Sequence, residues 1–332
     1  MANVKLPRRE FLHLAAGAAV LPAVTRIASA QAYPSRPITV VVGAAAGGPT
    51  DTIGRIITER MRNTLGQTIV IENNGAAAGS IAHGRVARAA PDGYTLSLGH
   101  WGTHVVNGAV YTLAYDVLKD FEPVALISVS PYFIVGKRDL AVNDLKGLVA
   151  WLKTSGDKAT QGTSGAGSPG HIGGVLLQSI LASRWLFVPY RGANPVMQAL
   201  LAGEFDWTFT TPDQGLPQIN AGRVKPYAIT AKSRMAHAPD VPTTDEAGLP
   251  GFYLSYWHAL WAPKGTPKDI VAKLNASVIA ALAEPAVRQR LDDLGQQVFP
   301  PAQQTAETLG ALQKAEIEKW WPLIKAAGIK PE

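Results

Sequence analysis

Two apolar patterns alternate along the chain: short runs of β-branched residues, and longer stretches with apolar side chains three and four apart. Ile38, Val40, Val41 and Val42 predict a strand over 38–42, and a small-residue loop, 43–49, follows. Beyond it Ile53, Ile56, Ile57, Met61 and Leu65 fall on one helical face, with Thr50 or Asp51 as N-cap and Gly66 as the stop. The grammar repeats with a strand at 68–72, a helix at 80–90, a Pro-Asp-Gly turn at 91–93 and a strand at 94–98. Residues 124–135 read as one or two buried strands. A second set of units then spans 140–230, with strands at 159–163, 187–190, 206–210 and 225–230 between helices at 143–154, 171–181, 194–202 and 213–221. A helix capped by Thr266, with Pro267 in its first turn and Ile270, Leu274, Val278, Ile279 and Leu282 on one face, leads into helices at 285–294 and 302–327. The alternation predicts an α/β fold of mostly parallel sheets flanked by helices.

The first thirty residues follow a different pattern. A basic opening with Arg8 and Arg9, an apolar run over 11–24 and the small-residue sequence Ala28-Ser29-Ala30 form an export signal, removed near Ala30 or Ala32. Arg8-Arg9-Glu10-Phe11-Leu12 matches the twin-arginine pattern of folded-protein export. The apolar run is shorter than a membrane span and is interrupted by Gly17 and Pro22, so the mature chain is expected to be periplasmic and not membrane-embedded.

Composition narrows the function. Of 332 residues 47% are hydrophobic and none is cysteine, which excludes a disordered chain and a disulfide scaffold. The net charge is +6, but half of it sits in residues 1–32. The remainder is too scattered for a nucleic-acid surface.

Two glycine- and hydroxyl-rich loops, 43–51 and 162–171, each join a predicted strand to a predicted helix. Backbone N–H groups at a helix start, backed by the positive end of its dipole, hold an anion without a formal charge. Ordinary turns are the plainer reading. Residues 165–170 also fit G-x-G-x-x-G, with Arg191 where a dinucleotide reader places its ribose group, so an exported NADP-dependent oxidoreductase is one alternative. Ser168 between glycines, with His237 or His258 downstream and Asp206, Asp213 or Asp240 as orienting acids, is the weaker case for a secreted serine hydrolase. His100 and His104 lack the glutamate of a zincin helix, so no metal is expected. Trp101, Trp207 and Trp257 stand near predicted loop ends, as core filling or as pocket wall.

Strings spread over nearly the whole mature chain carry a resemblance. They include Tyr33-Pro34-Ser35-Arg36-Pro37, Gly47-Gly48-Pro49-Thr50-Asp51, Ala90-Pro91-Asp92-Gly93-Tyr94 and Gly102-Thr103-His104 with Asn107. Asp120-Phe121-Glu122-Pro123-Val124, Val188-Pro189-Tyr190-Arg191-Gly192 and Asp240-Val241-Pro242-Thr243 continue it. The chain resembles the substrate-binding receptors of tripartite tricarboxylate transporters, the Bordetella uptake gene family. The resemblance implies a type II periplasmic-binding-protein fold, with lobe 1 at 33–133 plus 259–332 and lobe 2 at 134–258. It implies a monomeric receptor without cofactor or catalysis, which closes by a hinge near 132–136 and 255–260 and passes an organic carboxylate to a two-subunit membrane permease. A sensor without a transporter is a variant of the same class.

In the family the ligand is held by backbone N–H groups and water from two loops, which match Gly47, Gly48, Pro49, Thr50 and Asp51 here, and Thr163, Ser164, Gly165, Gly167 and Ser168, with His171 closing the second. Thr103, His104, Tyr190 and Arg191 match positions near the cleft. The chain departs from the family in lacking the aromatic ring and prolines of the first loop over 43–48. It has Val175 where an acid is usual, and His100 and Trp101 where small residues are usual. These departures predict that His100 and Trp101 wall a slot for a flat, aromatic acid, with dicarboxylates the other ligand class.

Overall fold

The computed structural model describes residues 33–190 and 192–329. The export signal, its cleavage point and Arg191 therefore lie outside the described residues. Of the N-terminal unit, 1–35, only a short bend at 33–35 is described; residues 36–332 form the other unit.

That larger unit is built on two sheets. Strand β1 (Ile38–Val42) leads through the first loop into α1 (Pro49–Leu65), then β2 (Ile69–Asn73), α2 (Ser80–Ala87) and β3 (Thr95–His100). A π-turn at Gly102–Val106 and a short α3 (Asn107–Val110) precede the long β4 (Phe121–Pro131). Ile53, Ile56, Ile57, Met61 and Leu65 are all buried, so the spacing that predicted α1 also sets the face it packs on β1–β3. Its N-cap is Gly48, not Thr50 or Asp51. Pro49 fixes the helical φ of the first turn and needs no hydrogen-bond acceptor, so the helix starts two residues earlier than a Thr50 cap would place it.

The second sheet comprises β5 (Phe133–Lys137), α4 (Leu145–Ser155), β6 (Thr160–Thr163), α5 (Pro169–Leu181), β7 (Leu186–Pro189), α6 (Ala193–Ala202), β8 (Trp207–Thr210), α7 (Pro212–Asn220) and β9 (Val224–Ile229). The chain then returns to the first sheet with β10 (Ser255–Pro263), α8 (Lys268–Ala283), α9 (Pro285–Asp293), β11 (Gln297–Val298) and α10 (Ala306–Ala326). Pro267 stands at the N-cap of α8, and the Thr266 hydroxyl donates back to the Pro263 carbonyl instead of capping.

Strand orders are β11-β4-β10-β3-β1-β2 and β7-β6-β8-β5-β9. The expectation of mostly parallel sheets is met only around β1 and β6. The pairs β3–β10, β4–β10, β4–β11, β5–β8 and β5–β9 are antiparallel. The reason is topological: β4 and β10 carry the chain out of and back into the first sheet, so they lie side by side in opposite directions.

Only Tyr132 separates β4 from β5, so the first crossing is a single residue. Thr230, fully buried, ties this crossing to the return. Its hydroxyl accepts from the Tyr132 N–H at 2.9 Å and donates to the Leu254 carbonyl at 2.6 Å. The segment between β9 and β10 packs on the second sheet through Met235, Ala238 and Val241. The boundary at 258 therefore falls inside β10, a strand of the first sheet. Trp207, Trp257 and Trp101 are core residues, at most 2% exposed.

Candidate functional site

The first loop and the start of α1 form one wall of an open cleft of about 230 Å³, through Gly47, Gly48, Pro49, Thr52 and Ile53. Asn194 from α6, with Asp213 and Gln214 from α7, supplies the facing wall, and Leu294 and Gln296 also line the cleft. A smaller cavity of about 60 Å³ in the second half is lined by Thr163, Ser164, Pro169 and Gly170 of the second loop, together with Tyr132 and Gln214. Gln214 thus borders both spaces, and its side-chain amide donates to Asn194 at 2.7 Å, which holds the starts of α6 and α7 in register.

The loops are shaped by their own polar groups. Gly47 has φ +77°, a conformation costly for any residue with a Cβ, and its N–H donates to Asp51 Oδ2 at 2.8 Å. The Gly48 N–H donates to the Ala45 carbonyl at 3.3 Å. The two glycine amides among those expected to meet the ligand are therefore committed within the loop. The donors that α1 geometry leaves without an intrahelical acceptor belong to its first turn, at Thr50 and Asp51. Burial opposes ionisation of Asp51, but hydrogen bonds from Arg55 and the Gly47 N–H outweigh it and hold the carboxyl below its ordinary range.

In the second loop the Ser168 hydroxyl caps α5 by accepting from the His171 N–H, and His171 Nδ1 accepts from the Gly167 N–H at 3.1 Å. Gly165 and Gly167 take φ +104° and +75°. A Cβ at Gly167 would lie 3.4 Å from Val110 of α3, so this loop reaches across to the first half. The same serine is thereby used as a cap and meets neither histidine proposed for a hydrolase: His258 Nε2 lies 3.3 Å from the Thr50 hydroxyl, and His237 pairs with Asp292 at 2.8 Å.

Several residues expected at the cleft lie elsewhere. Trp101 is fully buried and meets Trp320 of α10 edge-on, with ring centroids 5.3 Å apart. The π-turn that follows it directs this ring into the core, so its bulk does not wall a ligand slot. His104 is fully buried and stacks on Trp261 at 3.7 Å. Thr103 is buried too, its hydroxyl bonded to the His100 carbonyl and set 2.9 Å from His104 Nδ1. The two residues belong to a network in which Ser97 Oγ links His83 at 2.7 Å and His104 at 3.3 Å. Tyr190 donates its hydroxyl to Glu204 at the surface, away from the cleft lining. His100 lies beside Tyr256, ring centroids 4.6 Å apart, and near His258. Tyr256 and His258 of β10 bond to Thr50 and buttress the start of α1, with His100 of β3 packed against them, rather than line the cleft.

Electrostatically, Asp213 is the one charged side chain among the described lining residues. Burial lowers His258 to about 3 against an opposing hydrogen bond to Gln296, and lowers His100 well below its ordinary value, so both rings are neutral beside α1. Asn194, Asp213, Gln214 and Tyr132 were not singled out as cleft residues from the sequence. The available signal was Thr210-Thr211-Pro212-Asp213, a third strand-to-helix junction of the same kind as the two loops.

Comparison with known proteins agrees with this architecture. Residues 53–329 match the tripartite tricarboxylate transporter family receptor. A UPF0065 protein of Agrobacterium vitis is 41% identical over 320 residues, covering 96% of this chain and 91% of the relative. The solved periplasmic binding protein BugD shares 39% identity at a TM-score of 0.77, over 90% of this chain and all of BugD. MatC from Rhodopseudomonas palustris, solved with bound malate, shares 43% identity at a TM-score of 0.77, over 88% of this chain and all of MatC. Fold and comparisons define a periplasmic-type solute-binding protein, a receptor rather than an enzyme. The chain belongs to the tripartite tricarboxylate transporter receptor family.

Proposed function

We propose that this receptor works in the periplasm, after removal of its twin-arginine leader, as a monomer that captures a small organic carboxylate and delivers it to a two-subunit membrane permease. The observation that carries this reading is the cleft itself: the start of α1 and the second loop border adjoining spaces that share Gln214, and no cation lines them among the described residues. An anion there is held by helix-start N–H groups and the dipole behind them. The malate bound to MatC is a ligand of this chemistry. Among the described residues no single helix is long and apolar enough to cross a membrane, which suits a receptor that docks on a permease rather than forming one.

Closure is a rotation of residues 133–254 against the remainder about Tyr132 and the return segment tied to it by Thr230. Gly295, with φ +67°, abuts Pro212 across the two halves, and a Cβ there would lie 2.2 Å from Pro212 Cβ. Calorimetric titration of the mature protein with mono-, di- and aromatic carboxylates tests both parts. Wild type is expected to bind at least one acid, and Gly295→Ala to bind it about tenfold more weakly, ~1.4 kcal/mol, because the added methyl wedges the halves apart. Failure of every acid to bind wild type rejects the carboxylate reading, and an unchanged affinity in Gly295→Ala rejects the closing motion.

A further inference from the structure

Asp213 is out of place in a site for anions. It occupies the second position of α7, half-buried, and lines the cleft opposite Gly47 and Gly48. No Lys, Arg or His side chain is paired with it among the described residues. Its near neighbours in the cleft are the amides of Asn194 and Gln214, which bond to each other. Burial raises its pKa, offset in part by bonds from the Thr211 hydroxyl and the N–H groups of Asp213 and Gln214, and its charge acts on Tyr132 at the crossing.

An ionised carboxylate only accepts hydrogen bonds. Facing a bound acid, it repels a second carboxylate, and more strongly in a partly dry cleft than in open water. It attracts an O–H or an ammonium on that same acid, and a ligand that covers its remaining lone pairs without offering such a donor loses affinity.

We propose that Asp213 determines specificity, accepting a hydrogen bond from a hydroxyl or ammonium group on the bound acid, so that the receptor selects hydroxy or amino acids over acids without a donor. The proposal rests on the reading of the cleft as a carboxylate site.

Titration at pH 7.5 with two matched pairs, malate against succinate and aspartate against succinate, tests it on wild type, Asp213→Ala and Asp213→Asn. Wild type should prefer the donor-bearing member of at least one pair by tenfold or more. Asp213→Ala should cut that preference below threefold, mainly by gaining affinity for succinate. Asp213→Asn, which keeps the side chain's size at the helix start, should lose a preference for aspartate but retain part of a preference for malate, and so tells ammonium from hydroxyl. Equal affinity within both pairs in wild type, or a preference that survives in Asp213→Ala, overturns the proposal while leaving the carboxylate reading intact. Parallel loss for all three acids in both variants assigns Asp213 a structural role and also overturns it. Absence of binding by any carboxylate to wild type removes the reading beneath it.

Discussion

Replacing Trp101 by alanine is expected to destabilise the protein by about 3–5 kcal/mol while leaving ligand affinity within about threefold of wild type. The ring is fully buried, sits edge-on to Trp320, and belongs to the main apolar cluster together with Trp257, Trp261, Leu309 and Ile317. Truncation leaves a cavity bounded by α10 and the π-turn, two elements pinned elsewhere and poorly able to collapse into it. Gln313 of α10 donates to the carbonyls of His104 and Val117, and Trp321 donates to that of Val105. Denaturant unfolding of the variant beside wild type measures the loss, and titration of the folded variant measures affinity. Unchanged stability with lost binding of aromatic acids would restore Trp101 to the wall of the ligand site.

Acid should unfold the protein steeply, through buried histidines rather than surface ion pairs. Burial lowers His83 and His258 to about 3, and His100 and His104 well below the ordinary value near 6.5. In the unfolded chain all four titrate near 6.5. Between these limits the unfolded state binds more protons, so stability, complete above about pH 6.5, declines as pH falls toward 3. Each histidine contributes a slope of roughly 1.4 kcal/mol per pH unit, and the four together roughly 5. Asp213 opposes the trend because its raised pKa favours proton uptake by the folded state, but it is one group against four. Denaturant midpoints at pH 8, 7, 6, 5 and 4 should be level at the top and then drop, with roughly four protons taken up on unfolding near pH 5. A stability independent of pH between 7 and 5 would mean that these imidazoles are not held neutral in the core.

Much of the fold could be read from local spacing, because burial writes its period directly into the sequence. Ile53, Ile56, Ile57, Met61 and Leu65 mark the buried face of α1, and β1 is found at its predicted limits. Local spacing says nothing about strand direction. β10 follows a connector that packs on the second sheet, and its antiparallel pairing with β3 and β4 depends on where that connector returns. Caps at α1 and α8 were misplaced for one reason: a proline beside the first turn governs where the helix begins, and Thr50 and Thr266 form other bonds.

The candidate site was partly legible. Glycine-rich strand-to-helix loops are a local signal and led to the first loop, which lines the cleft, and to the second, which lines the smaller cavity that shares Gln214 with it. The facing wall was not legible, since Asn194, Asp213 and Gln214 reach Gly47 and Gly48 only through the crossing at Tyr132. Nor could spacing show which amides are already committed. That depends on Asp51 turning back to Gly47, a side-chain choice that the same residues could have made differently.

The central claim is that a carboxylate lodges between the start of α1 and the second loop, held by backbone N–H groups. A crystal structure of the mature receptor grown with an acid selected by titration tests this most directly. The account predicts a carboxylate oxygen about 3 Å from N–H groups in the first turn of α1, with residues 163–168 bordering the same molecule. An acid clamped by Lys or Arg side chains outside the cleft, or loops closed on each other with nothing between them, would contradict it.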